Sequence, residues 1–390
     1  MTSRSLSRRV AAATAFLALE LGWLPAGALP QYRIVEVGSP MGSVVPTAAT
    51  AINNLGQVVG YTVSPLGNLP FTWSAGVFDL LPVLPGYSSG AAFGVNDLGQ
   101  VVGSSSLPSF EAATLWSGPT VTNLAALGAP VLGGGSSRAH AINNSGLVVG
   151  VSGYAGGAGF TLPLHTGVAG LIWTGQNRMQ SANAVNEDGW IAGNGVSAVG
   201  GNSNAALLSV DGVVVDLVGT SSQRNDMAFG LNDNGTTVGY SASTNGNSDA
   251  TAWRNGQMLG LWGSSGRSSV ALDVNNHEAV VGQIGGSGAL YLDGAMHELD
   301  GLIAPWDPLF GQAHIAIANA INDENWIVGS AFIDGTLRAV LLVPVPEGGT
   351  AGMMLAGGVV LVLVSRRRGG VSAKAAHLGP LPRTQLGRLT

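Results

Sequence analysis

The sequence predicts an all-β fold: a seven-bladed β-propeller of four-stranded blades, its ring closed by the N-terminal strand joining the last blade. Three observations point there. A ten-residue block recurs seven times, each recurrence holds about four short strands, and unmatched strands are left at the two ends of the array.

The block begins at Ala51 and reads AINNLGQVVG. It returns from Gly94, Ala141, Ala184, Gly230, Asp273 and Ala320, at spacings of 43, 47, 43, 46, 43 and 47 residues. Asn53, Asn96, Asn143, Asn186, Asn232, Asn275 and Asn322 share one column. An Asn side chain there bonds backbone two residues on and starts a turn. Gly56, Gly99, Gly146, Gly189 and Gly235 then supply the left-handed residue of a hairpin turn, while Glu278 and Asn325 replace Gly in the last two units. Asn tolerates that conformation, and Glu278 is expected to be mildly strained.

The block is therefore a hairpin. Its first strand carries an Ala two residues ahead of each block, from Ala49 to Ala318, and its second carries Val58-Val59 or an equivalent pair and ends on Gly. A third strand is read at Phe71–Trp73, Thr114–Trp116, Leu171–Trp173, Thr251–Trp253 and Ala289–Tyr291, and a fourth at runs such as Val77–Leu80 and Val213–Leu217. Helical repeats of this length need 3.6-residue apolar periodicity and fewer glycines. A β-solenoid is the alternative architecture, but its coils are shorter. Tyr32–Val37 fits a fourth strand, and the last unit stops after a third, Ala339–Val343. The first strand thus completes the last blade and removes a sheet edge, with the Ala-rich strands innermost, where converging blades leave room only for small side chains.

Composition agrees. There are 60 Gly in 390 residues with no three-residue period, and 46% of residues are hydrophobic, which excludes collagen and disorder. Cysteine is absent, so neither disulfides nor a thiolate metal site holds the fold. Between residues 29 and 365 stand seven Arg, no Lys and 21 acidic residues, a net charge of −14. Such a body repels phosphate backbones, so nucleic acid is excluded as a partner, and the charge suits solubility.

Both chain ends read as addresses. Residues 1–28 form a signal peptide: Arg4, Arg8 and Arg9, an apolar stretch from Val10 to Leu19, and a small-x-small cleavage site at Ala26 and Ala28. Residues 29–343 hold the propeller. Residues 344–368 contain Val345-Pro346-Glu347, an apolar run at 351–364 that reads as a membrane segment, and the cluster Arg366-Arg367-Arg368. Residues 369–390 form a basic tail, read as disordered. The short motif, apolar run and arginine cluster resemble the PEP-CTERM sorting signal of Gram-negative bacteria. That resemblance implies an exosortase as a processing partner beside the export machinery. Gly348 replaces the second Pro of the family motif, and 22 residues follow the arginines where the family stops. The recurring Asn-Asn-x-Gly-x-Val-Val-Gly pattern resembles the extracellular HAF repeat family over residues 32–343, with Leu69-Pro70-Phe71 where its His-Ala-Phe triplet would stand. This second resemblance implies an extracytoplasmic location and no defined activity.

No catalytic, cofactor or metal residues are assigned. His297-Glu298 begins HELDG, which lacks the second His of a zinc-protease helix, and there is no nucleophile elbow or phosphate loop. The acidic turns Asn232–Gly235 and Asn186–Gly189 carry calcium-compatible oxygens without the twelve-residue loop and its closing Glu. Trp190 and Trp326 share one repeat position and are read as wall residues between blades rather than sugar platforms. The long connection Trp306–Phe310 breaks the repeat and is a place for a site border. The expected function is that of an exported surface or matrix protein that binds glycan or protein without catalysis. The alternative is a polysaccharide hydrolase or lyase on a propeller scaffold.

Overall fold

The computed structural model describes residues 29–345, apart from 39–44, 129–131, 133–134, 154–156, 175–176, 197–202, 209–213, 218–225, 243–245 and 261–265. Among the described residues the strands form seven antiparallel sheets, each one repeat unit, six of four strands and one of five. Blade 1 runs from its inner strand Thr47–Ile52 through Val58–Ser64 and Gly67–Ser74 to the outer strand Val77–Leu80. The other inner strands are Ser89–Val95, Ser137–Ile142, Asn177–Val185, Asp226–Leu231, Ser269–Val274 and His314–Ile321. Each inner strand neighbours the next, and the seventh neighbours the first, so the ring is closed. Ala49, Ala92, Ala139, Ala182, Ala228, Ala271 and Ala318 are all fully buried on these strands, where the blades converge.

Every inner strand slips register by one residue against its second strand, between Ala49 and Ala51 in blade 1 and at the equivalent place in the others. This β-bulge explains why each block ends in Gly. A methyl group added to Gly60 would lie 1.9 Å from the Ala48 carbonyl oxygen, and one on Gly239 1.8 Å from that of Met227.

The apolar pair inside the block has an equally simple cause. Successive strand residues point to opposite faces of a sheet, and in a propeller each face meets a different neighbour. Val58 joins the apolar cluster shared with blade 7, whereas Val59 joins the one shared with blade 2. The same division holds for Val101 and Val102, Val148 and Val149, Val280 and Val281, and Ile327 and Val328. Among the described residues the buried apolar side chains fall into seven clusters, one at each seam.

One strand assignment changes. The third strand of blade 3 is Ala158–Pro163, and Gly170–Leu171 is the fourth. Gly150 pairs with Phe160 as Gly60 pairs with Phe71, which puts Leu162 where Trp73 and Trp116 stand. The extra residues lie between the third and fourth strands, so Leu171–Trp173 falls too far along to be the third. Trp173–Thr174 pairs instead with Asn177–Arg178, adding the fifth strand to blade 4.

The ring closes in blade 7, whose strands His314–Ile321, Ile327–Ile333 and Thr336–Val345 are completed by Gln31–Glu36. Pairing runs from Gln31 with Val345 to Glu36 with Val340, so the blade extends two residues past the boundary at 343. Arg338 Nη1 reaches Glu36 at 2.7 Å across this pair. The long connection from blade 6 then covers the outer edge of the N-terminal strand. Tyr32 forms a parallel bridge with Ile303, Ala304 N donates to the Tyr32 carbonyl at 2.8 Å, and the buried Asp307 carboxylate accepts from Ile34 N at 2.9 Å. The segment expected to border a site is thus a strap over the closure, leaving Trp306 and Phe310 exposed on its surface.

Candidate functional site at one mouth of the propeller

The seven block turns gather around the axis at one end of the ring. In each, the Asn Oδ1 accepts the N–H of the residue four places on, from Gln57 to Trp326, at 2.8–3.0 Å. The left-handed residue follows: Gly56 has φ +76°, and Glu278 and Asn325 have +66° and +57°. Glu278 holds that conformation while its carboxylate pairs with Arg254 and accepts from Thr236 Oγ1 of the preceding blade.

The other half of each Asn side chain faces the next blade. Asn53 Nδ2 donates to the carbonyl of Asn96, Asn96 to Asn143, Asn143 to Asn186, Asn186 to Asn232, Asn232 to Asn275, Asn275 to Asn322, and Asn322 back to Asn53. These seven bonds, 2.9–3.2 Å long, close a ring, and every Asn in it is at least 95% buried. One amide thus shapes a turn and joins two blades, which is why the column admits no other residue in this chain.

A second ring lies outside the first, built from the residue after each Asn: Asn54, Asp97, Asn144, Glu187, Asp233, Asn276 and Asp323. Each backbone N–H in it donates to the side-chain oxygen of the next blade's member at 2.8–3.1 Å, and Asp323 closes the cycle onto Asn54. Asn54 and Asn276 each bridge carboxylates on both sides, Asp97 with Asp323 and Asp233 with Asp323 respectively. Glu187 and Asp233 are the two acids that stand side by side. Partial burial raises Glu187 above the usual carboxylate range, the Asn144 N–H opposes this, and Asp233 and Asp97 add to it. Within the rings lies a funnel of about 330 Å³, its rim set by these amides and carboxylates and its floor by apolar residues such as Ile52, Val95, Val185 and Val274.

Further along the inner strands, half-buried side chains alternate with the buried alanines. Blades 3 and 4 contribute Arg138, His140, Ser181 and Asn183, whereas blades 5 and 6 contribute Met227, Phe229, Val270 and Leu272. Burial holds His140 below its ordinary range, and its Nδ1 lies 3.0 Å from the Ala182 carbonyl. Arg138 is paired with Glu111 at 2.7 Å and stacks its guanidinium over Phe93. At the far end, hydroxyls on the inner strands join blades again: Thr47 accepts from Ala339 N, Ser137 from Ala113 N and Ser269 from Ala250 N. In blade 1 the donor position is Pro70, which has no N–H, and the matching position of blade 2 is Gly90, which has no hydroxyl.

All seven predicted Asn residues therefore come together, as the buried inner ring rather than as the surface of the mouth. Val345 ends a blade strand, while Ala26, Ala28, Pro346, Glu347, Arg366, Arg367 and Arg368 lie outside the described residues. The membrane segment at 351–364 also lies outside them; no helix among the described residues is long and apolar enough to cross a membrane. Trp190 and Trp326 pack as wall residues, and the Trp326 ring occupies the space that a side chain at Gly56 would need. No group of three or more His, Cys, Asp or Glu among the described residues is arranged to hold a metal ion. The outer ring was missed although its signal is plain: every residue following the Asn column carries a side-chain oxygen.

No family model matches the chain, and no curated protein matches it. Among solved structures, it is similar to a putative TolB from Agrobacterium tumefaciens at 14% identity and TM-score 0.42, covering 82% of this chain and 100% of that one. TolB from Acinetobacter baumannii matches at 15% identity and TM-score 0.36, over 73% of this chain and 79% of that one. Virginiamycin B lyase from Staphylococcus aureus matches at 9% and 0.41, over 80% and 100%. The seven-bladed architecture is read from the strand pairing itself.

Proposed function

We propose that the chain is an exported bacterial surface or extracellular-matrix protein whose propeller binds a polar extracellular ligand, a glycan before a protein, without transforming it. The outer ring at the mouth carries this reading. Its carboxylates each accept a neighbouring blade's N–H, and most also meet an amide donor. Carboxylates held in this way are fixed in orientation and keep lone pairs to spare, which suits them to accepting hydroxyl hydrogen bonds. The leader at 1–28 and the sorting-like segment at 344–368 support export, an exosortase as processing partner, and a membrane contact through 351–364. The second reading, a polysaccharide hydrolase or lyase, draws support from the Glu187–Asp233 step, where Glu187, raised above the usual carboxylate range, stands beside a second carboxylate.

The test is a glycan array probed with the chain from residue 29 onward, beside a reducing-end assay on the polysaccharides that bind. Binding that is lost in Asp97→Asn/Asp323→Asn, with no reducing ends released, is the expected result. Turnover abolished by Glu187→Gln would replace this reading with the second one.

A further inference from the structure

We propose that the seam between blades 6 and 7 is a proton-sensitive joint, tight in acid and loosened as its surroundings become neutral to alkaline. At both of its ends a carboxylate of blade 6 or of the connection that follows it accepts a backbone N–H of blade 7. At the mouth, the first block position is Ala or Gly in six units and Asp273 in blade 6. The Asp273 carboxylate crosses the seam: Oδ2 accepts from Ile321 N of blade 7 at 2.9 Å, and Oδ1 accepts from its own Val274 N at 2.9 Å. The charged group facing it from blade 7 is Asp323 of the outer ring, and among the described residues no salt bridge reaches it. At the far end, Asp300 of the connection from blade 6 accepts Ile315 N at 2.7 Å and meets His314 Nδ1 at 2.7 Å. His314 also faces the Gly286 carbonyl and Glu298 of blade 6, and Arg267 pairs with Glu298 beside it, while Phe332 stacks on its ring.

Both groups shift in the same sense. Burial pushes Asp273 up to about 7, against its two N–H donors and helped by Asp323. The bond to Asp300 raises His314 above its ordinary range. For Asp273, the stabilisation is complete below the ordinary carboxylate range and lost as pH climbs to about 7. For His314, it is complete below the ordinary imidazole range and lost as pH passes the raised value. The two ends of one seam therefore weaken together on going from acid to mildly alkaline conditions. The strap and the N-terminal strand are held beside the same seam, through Ile303, Ala304 and Asp307, so loosening it slackens the ring closure.

Amide hydrogen exchange on the intact chain at pH 5 and pH 8, corrected for the intrinsic rate, tests the proposal. Peptides covering Ile315 and Ile321 are compared with those covering Ile52, Val95, Ile142, Val185 and Leu231 on other inner strands, which serve as internal controls for folding. Protection at the 6–7 seam is expected to fall at least tenfold more than at the controls, and Asp273→Asn/His314→Gln is expected to abolish the difference. A seam that tracks the controls in the parent chain would overturn the proposal, as would a double variant that keeps the differential loss.

Discussion

Asn143→Ala is the most informative single change, because one side chain there binds both its own turn and the neighbouring blade. Asn143 is 2% exposed; its Oδ1 accepts Leu147 N at 2.9 Å and its Nδ2 donates to Asn186 O at 2.9 Å. Truncation leaves a buried N–H and a buried carbonyl each short of a partner, at about 1–3 kcal/mol apiece. The Ser145 hydroxyl, which also meets Oδ1, is near enough to solvent to find water and adds little. The expected loss is about 2–6 kcal/mol, or about 4–12 °C in melting temperature at this size. Asn143→Asp separates the two roles, since it keeps the acceptor and loses the donor to Asn186. Its buried carboxyl will have a raised pKa, so stability is present in acid, where a protonated oxygen can donate, and is lost as pH rises. Differential scanning fluorimetry of both variants at pH 5 and 8 is the assay. An Ala variant within about 0.5 kcal/mol of the parent, the range of ordinary surface changes, would refute the account of the ring. So would an Asp variant whose pH profile parallels that of the parent.

The remaining predictions use the same molecule. Gly239→Ala, whose new methyl would meet the Met227 carbonyl oxygen at 1.8 Å, should destabilise by at least about 3 kcal/mol in urea unfolding. Gly76→Ala, at φ +87° with open space around it, should cost only about 1 kcal/mol. Thr47→Val removes the hydroxyl that accepts from the fully buried Ala339 N, and about 1–3 kcal/mol should be lost on thermal unfolding. Asp307→Ala frees Ile34 N and Leu309 N, and limited proteolysis should then release the N-terminal strand faster than any other.

Much of this fold was legible because a repeat samples each position seven times. The Asn column, the left-handed Gly column and the leftover end strands each have one local cause, a side chain or a dihedral, that a single sequence can express. The third strand of blade 3 was not legible for the opposite reason. Leu162 fills the place that Trp73 and Trp116 fill, and Trp173 in the following segment drew the assignment away. The candidate site was half legible. The inner ring was found as a turn former, but its donor half acts on a carbonyl 43–47 residues away, and no local pattern records that. The Ser and Thr bonds at the far end hid in plain composition, with Pro70 and Gly90 marking the one pair of blades where such a bond has neither donor nor acceptor. The packing of the strap was not legible, because an irregular loop looks the same whether it flanks a ligand or a strand edge.

The inner ring has a further consequence. Every amide in it points the same way round, from each blade to its successor, so the cycle has a direction and no beginning. Nothing in the bond itself counts to seven; the number must come from the wedge angle that the seam side chains impose. A chain reopened between the second and third strands of any blade other than the seventh, with its present ends joined, would keep all seven amide bonds. Circular permutants of that kind should therefore assemble, and comparing their folding rates would show which seam the ring closes last.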